Sequence, residues 1–106
     1  MTDPADVAGY PDKVEGCYGR GSHFVYILRL FDGRWYVGET EAPKRRVLSH
    51  INSTGVSPHF VRQYPPVEIA AVLEFGAKET AKRREEKIAE AFAHYYGSDR
   101  VRGGGI

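Results

Sequence analysis

Glu85 is the residue that is least expected at its position, because the surrounding segment has the apolar period of a helix. The core-facing positions of this segment step by four, three and four residues, and Glu85 falls on the same stripe as Ala81, Ile88 and Phe92. A carboxylate directed toward a core needs a cation or a metal ion beside it, since burying it alone is prohibitively costly. Two interpretations remain open from the helix alone: a salt bridge with an arginine, or a functional carboxylate.

Other polar side chains could complete a site around this carboxylate. Arg46 and His50 are four residues apart in a predicted helix, so they share one face. Tyr26 and Tyr36 each lie in a predicted strand, and His59 follows the first helix. Basic residues also cluster beside predicted elements, which is typical either of phosphate contacts or of a solvated helix face. The clusters are Lys44-Arg45-Arg46, Lys82-Arg83-Arg84, and Arg100 with Arg102.

Composition and length exclude several classes of protein. The 106 residues are enough for one domain, with 42% hydrophobic and 27% charged residues, which is globular composition. No apolar run reaches the roughly 18 residues of a spanning helix, and no secretory signal begins the chain. The single cysteine, Cys17, excludes an internal disulfide and a multi-cysteine zinc site. We therefore predict a soluble, intracellular protein, cytoplasmic or bound to the nucleoid, without a membrane partner.

The elements that must position these side chains begin with three strands. Strand segments with period-two alternation are predicted over Phe24–Leu30, Trp35–Val37 and Val67–Phe75. Asp32-Gly33 is a turn dipeptide that joins the first two strands into a hairpin.

The hairpin raises a question of register. With a two-residue turn at Asp32-Gly33, Tyr26 and Tyr36 would lie on opposite faces of the sheet. A three-residue loop or a bulge would bring both side chains onto one face. We therefore predict an irregularity between Asp32 and Arg34 or at Gly38.

Three helices complete the predicted fold. Pro43 begins the first, and a short second helix starts near Ser57-Pro58. The third runs from Lys78 to Tyr96 and is closed by Gly97. The predicted class is α/β, of the α+β type, with a small three-stranded antiparallel sheet flanked by helices. Residues 1–22, rich in glycine and proline, are predicted to form a flexible N-terminal arm, and residues 23–106 a single domain.

The ordered set of motifs over residues 23–106 resembles the GIY-YIG nuclease domain. Phe24-Val25-Tyr26 stands where the family has Gly-Ile-Tyr, although Phe24 replaces the glycine, and Tyr36-Val37-Gly38 stands for Tyr-Ile-Gly. Arg46 and His50 match the family's Arg-x-x-x-His helix, and Glu85 matches its single glutamate. The segment Val101-Arg102-Gly103-Gly104-Gly105 is similar to the end of small family members.

The resemblance implies a metal-dependent endonuclease that hydrolyses phosphodiester bonds of DNA, with structure selectivity or weak sequence specificity. In this interpretation Tyr26 is the general base, His50 accepts its proton, and Tyr36 positions water or phosphate. Arg46 would bind the scissile phosphate as a bidentate cation. Glu85 would hold one Mg²⁺ or Mn²⁺ ion.

DNA is the partner that the resemblance implies. The predicted nucleic-acid contacts, besides the catalytic set, are Lys44, Arg45, His59, Arg84 and Arg102. Since no appended domain is expected, specificity would come from a partner protein or a homodimer. The alternatives are a catalytically silent nucleic-acid-binding module on the same fold and a protein-interaction domain. Glu85 favours the enzyme, because a carboxylate near phosphates would weaken a pure binder.

Overall fold

The computed structural model describes residues 3–15, 22–53 and 58–105, which form an α+β fold around a mixed sheet. Cys17 and Ser57 lie outside these residues. The strands are β1 (His23–Leu30), β2 (Arg34–Thr40), β3 (Pro66–Phe75) and β4 (Val101–Gly103), in the order β3-β1-β2-β4. β1 is antiparallel to both β2 and β3, and β4 is parallel to β2.

The fourth strand corrects the prediction of a three-stranded antiparallel sheet. β4 pairs with β2 over only three residues, from Val101 opposite Trp35 to Gly103 opposite Val37. Three residues are too few to carry a period, so the pairing has no local signal in the sequence. Gly103 has a φ of +109°, and a Cβ there would collide with the carbonyl oxygen of Val37. The glycine therefore permits the close approach of β4 to β2.

The hairpin has the irregularity that the sequence predicts. Its loop is three residues long, Phe31–Gly33, with Asp32 at φ 63° and ψ 39° and Gly33 at φ +68°. Tyr26 consequently pairs with Gly38, and Leu28 with Tyr36. Because alternate residues share a face, Tyr26 and Tyr36 lie on the same side of the sheet. The predicted irregularity in the hairpin is confirmed, and of the two predicted forms, a loop or a bulge, it is the three-residue loop.

Helices cover both faces of the sheet. They are α1 (Pro43–Asn52), α2 (His59–Gln63) and α3 (Lys78–Tyr96), and α3 has the predicted bounds. One face packs Tyr26, Leu28 and Leu30 with residues of α1 and α2, and the other packs β1 and β2 against Ala81 and Ala89 of α3. Within the described ranges, no helix has both the length and the apolar composition that crossing a membrane requires.

Residues 3–15 pack against the domain instead of extending from it as a flexible arm. Val7 and Val14 are buried in the same core as Tyr26. The backbone of Ala8 bridges to β3, since its N–H donates to the Val67 carbonyl (3.0 Å) and its carbonyl accepts from Ile69 (2.8 Å). The buried side chains of Val7 and Val14 thus hold residues 3–15 against the domain, although their glycine and proline content predicted a flexible arm. The boundary at residue 22 stays a prediction.

Candidate functional site

Tyr26 and His50 form a buried hydrogen-bonded pair between β1 and α1. The Tyr26 hydroxyl lies 2.8 Å from His50 Nε2, and the two residues are 2% and 1% exposed. Burial, followed by the positive charge of Arg46, lowers the pKa of His50 to about 4. His50 is therefore neutral at pH 7, and its Nε2 can accept the tyrosine proton.

Tyr36 lies beside this pair on the same face of the sheet. Its ring centroid is 6.2 Å from that of Tyr26 and 5.2 Å from that of His50. Burial raises the pKa of Tyr36 and so does Glu85, whereas Arg46 lowers it. Both tyrosines are therefore protonated at neutral pH in the absence of a further positive charge.

Gly38 makes room for the Tyr26 ring. It is the cross-strand partner of Tyr26, and a Cβ at this position would collide with Cζ and Oη of the tyrosine. The ring can lie flat over β2 and point its hydroxyl at His50 only because residue 38 has no side chain. Sequence reasoning quoted Gly38 as part of a motif without assigning it to the site.

The charges of Arg46 and Glu85 both affect the pKa of Tyr26. Burial raises the pKa of Tyr26 most, and the neighbouring Tyr36, Glu85 and Glu39 raise it further. Arg46 acts in the opposite direction. The five predicted catalytic residues therefore converge from β1, β2, α1 and α3 on one location.

Glu85 reaches this location past the edge of β2, although α3 covers the opposite face of the sheet. β4 accompanies β2 only as far as Val37, so it leaves the rest of this edge uncovered. There the Glu85 carboxylate accepts a hydrogen bond from the backbone of Glu39. Glu85 of α3 thus interacts with β2 at Glu39, beyond the residues of β2 that pair with β4.

Glu39 is a second carboxylate of the site and was missed by sequence reasoning. Burial raises the pKa of Glu85, and the charge of Glu39 raises it next, whereas Lys82 lowers it. Glu39 is nine-tenths buried, with Oε2 3.5 Å from His23 Nδ1. Glu39 directly follows the Tyr36-Val37-Gly38 motif, and this position could have indicated a role in the site. The direction of its side chain, however, depends on the register of the sheet.

The donor set fits a single divalent cation that keeps most of its water. Within residues 3–15, 22–53 and 58–105 no three His, Cys, Asp or Glu side chains come together as a metal cage. Mg²⁺ needs no such cage, because it binds through one or two carboxylates and fills its other positions with water and phosphate oxygens. Glu85 would hold the ion, and the adjacent Glu39 carboxylate makes a positive charge favourable there.

The three cations at the start of α1 have different surroundings. Lys44 forms an ion pair with Glu15 at 3.1 Å. Arg45 and Arg46 line an open cavity of about 320 Å³ between α1, β2 and α3. Arg46 thus faces both the tyrosine pair and the cavity, which suits a side chain that must contact a phosphate.

The remaining predicted DNA contacts are spread around the molecule. Arg102 stacks on Phe60 at 4.8 Å and donates to the Ser98 and Val101 carbonyls, each at 2.8 Å. Arg84 lies in a separate groove on the outer side of α3. His59 is the exposed first residue of α2. The structure does not bring these three side chains to the cavity.

Comparison with known proteins agrees with this geometry. The model of the GIY-YIG catalytic domain matches residues 22–96. A UPF0213 protein of Halalkalibacterium halodurans is 36% identical over 67 residues, 63% of this chain and 69% of the relative. A UPF0213 protein of Halobacterium salinarum is 34% identical over 68 residues, 64% of this chain and 86% of the relative. No solved structure matches. The matched region contains all five converging residues, and the chain belongs to the GIY-YIG family.

Proposed function

We propose that this protein is an endonuclease that hydrolyses phosphodiester bonds of DNA with the help of one divalent cation. Membership of the GIY-YIG family implies a nuclease. The observation that carries the proposal is the buried hydrogen bond between Tyr26 and His50, next to an arginine and a carboxylate. This combination supplies a proton path, a phosphate clamp and a cation ligand at one location.

Tyr26 and His50 move the proton of the attacking water. The Tyr26 oxygen accepts a proton from water while its own proton passes to His50 Nε2, 2.8 Å away. The resulting hydroxide forms the new bond to phosphorus as the bond to the leaving oxygen breaks. Burial and Arg46 lower the pKa of His50 to about 4, which keeps its imidazole neutral at pH 7, so that Nε2 can carry a lone pair toward the tyrosine.

Three further side chains position the phosphate or compensate its negative charge: Arg46, Tyr36 and Glu85. Arg46 donates to two phosphoryl oxygens, which places the phosphorus opposite the water. Tyr36 orients that water or a phosphoryl oxygen through its hydroxyl. Glu85 would hold a Mg²⁺ or Mn²⁺ ion, which would supply positive charge to offset the negative charge of the reacting phosphate.

The substrate is DNA recognised mainly through its phosphates, with selectivity for structure, such as a nick, flap or junction, or weak sequence specificity. A partner protein or a second copy of the chain would add specificity. Phosphate contacts make the affinity fall steeply with salt.

The test compares two adjacent carboxylates. Glu85 faces the site, whereas Glu86 is exposed. Glu85→Gln should abolish magnesium-dependent nicking of plasmid and branched DNA, because a neutral amide does not hold the ion. Its melting temperature should stay the same or rise, since a charge with an unfavourable environment disappears. Glu86→Gln should nick within a few-fold of the natural protein. Nicking by Glu85→Gln at the natural rate, or no nicking by the natural protein at any magnesium concentration, would refute the proposal.

A further inference from the structure

The cavity beside Arg46 has a cationic side made by two helices. Arg45 comes from α1, and Lys78 is the first residue of α3. Both residues are exposed. Within the described parts of the chain, neither Arg45 nor Lys78 has an ion-pair partner within 4 Å. The two cations thus line the same open volume without a close ion pair, although Glu39 and Glu41 also line it.

The charge of the first turn of α1 is opposite to what a helix favours. The helix dipole makes acidic residues stabilising in the first turn and basic residues unfavourable. The first turn of α1 contains no acidic residue, but Lys44, Arg45 and Arg46 follow Pro43 directly. Glu15 pairs with Lys44, so Arg45 and Arg46 are the cations of this turn that this ion pair does not compensate. A broken local rule of this kind is typical of a functional surface. A bound anion would compensate these charges.

α3 aligns Lys78 with the carboxylate of the site. Lys78 and Glu85 are seven residues apart, which is about two turns and about 10 Å along the helix on nearly the same face. The cavity wall also contains Glu39, which lies next to Glu85, and the exposed Glu41. The cavity wall therefore carries three cations, Arg45, Arg46 and Lys78, against the two carboxylates Glu39 and Glu41.

We infer that Arg45 and Lys78 form a second phosphate subsite, which holds a phosphate of the cleaved strand adjacent to the one bound by Arg46. The strand then passes between the N-terminal turns of α1 and α3. This inference rests on the proposed function, because it takes the Arg46 phosphate as the scissile one.

A different groove offers the main competing path for the strand. Arg83, Arg84 and Lys87 line it on α3. Arg83 and Lys87 are each two residues from Glu85, about 200° around the helix, so this groove lies on the side of α3 away from the site. A strand that follows this groove cannot place its phosphate at Arg46 and Glu85. Arg83 is consequently a matched control for the cations of the cavity.

The first experiment measures DNA binding by fluorescence anisotropy over a range of salt concentrations, in a Glu85→Gln background that does not cut. Arg45→Gln and Lys78→Gln should each weaken binding several-fold and reduce the slope of log affinity against log salt by about one. Arg83→Gln should change neither quantity. Circular dichroism melts check that each variant is folded. Unchanged affinity in both cavity variants, or weakening by Arg83→Gln alone, would overturn the subsite.

The second experiment identifies the phosphate. Single methylphosphonates replace, one at a time, the charged phosphates that flank the cleavage position. One replacement should weaken binding by the parent more than binding by Lys78→Gln, since the variant has already lost one of the two charges that contact this phosphate. In the protein with Glu85 restored, Arg45→Gln and Lys78→Gln should raise KM and keep kcat within a few-fold. Equal sensitivity of Lys78→Gln and the parent to every replacement would refute the inference.

The two proposals fail in different ways. If the natural protein cuts DNA while both cavity variants bind normally, the subsite is wrong and the proposed function stands. If the natural protein cuts no DNA while the cavity variants lose the salt-dependent contact, Arg45 and Lys78 still bind a DNA phosphate, but the proposed nuclease function is wrong and this phosphate does not belong to a cleaved strand.

Discussion

Gly38 contributes to the site through the space that it leaves free. Gly38→Ala would place a methyl group against Cζ and Oη of Tyr26, so the tyrosine must turn away from His50. A misplacement of this kind costs about 100-fold in rate, and overpacking costs about 1–3 kcal/mol of stability. We expect slow nicking together with a lowered melting temperature.

Gly76→Ala is the matched control, because an added Cβ there meets nothing within 4 Å. It should nick at the natural rate. An active Gly38→Ala protein would show that the hydrogen bond between Tyr26 and His50 is not needed for cleavage.

At the residue scale, the sequence identifies functional side chains that lie on one helix or strand. It does not identify residues whose role depends on a free space or on a tertiary neighbour. Arg46 and His50 can be paired from their spacing on one helix, and Tyr26 and Tyr36 from their strands. Lys78 has no such signal, and Glu39 has only its place after the Tyr36-Val37-Gly38 motif, because the positions of both beside the site come from sheet register and from the docking of α3. A residue that acts through its tertiary neighbours cannot be identified from local pattern alone.

At the scale of elements, β4 and the residue after it contact both the edge of β2 and α3. Gly103 approaches the Val37 carbonyl, and the next residue, Gly104, approaches the backbone of Glu85. The two glycines therefore connect the edge of β2 to the turn of α3 that carries the carboxylate. The hairpin loop was predictable because both tyrosines had to share a face, whereas this parallel contact joins segments more than 60 residues apart and leaves no periodic pattern.

Gly103→Ala tests this connection. Its methyl group would collide with the Val37 carbonyl, and its φ of +109° is strained for alanine, so we expect a loss of about 3 kcal/mol or more. Nicking should fall with it, because Glu85 loses its support. Gly105→Ala also has a positive φ, +90°, but meets nothing within 4 Å. It should lose only about 1 kcal/mol, as measured by urea unfolding. Equal losses in the two variants would contradict a role for the β4 contact.

For the whole molecule, the buried His50 couples stability to pH. Its pKa is about 4 in the folded protein and 6.5 in the reference state, so the unfolded chain binds more protons between these values. The free energy of unfolding therefore rises with pH in this window and is lost as the pH falls from about 6.5 toward 4. We expect His50 to account for a loss of about 2–3 kcal/mol between about pH 7 and pH 4.5.

His50→Gln removes this titrating group. Urea unfolding of both proteins at the two pH values should give a smaller loss for the variant. The same pH dependence in both proteins would show that His50 titrates alike in the folded and unfolded states.

The path of Glu85 past the edge of β2 also has a consequence for the synthesis of the chain. Tyr26, Tyr36, Arg46 and His50 all precede residue 51, whereas Glu85 and β4 come much later. Ribosomes make the chain from its N-terminus, so a growing chain presents the proton-transfer pair and the phosphate clamp before it has the carboxylate. Under the proposed function, a chain that ends before α3 lacks the carboxylate that would hold the cation, so its site is incomplete. Cleavage would therefore require the whole fold, because Glu85 joins the other four residues only after α3 has docked.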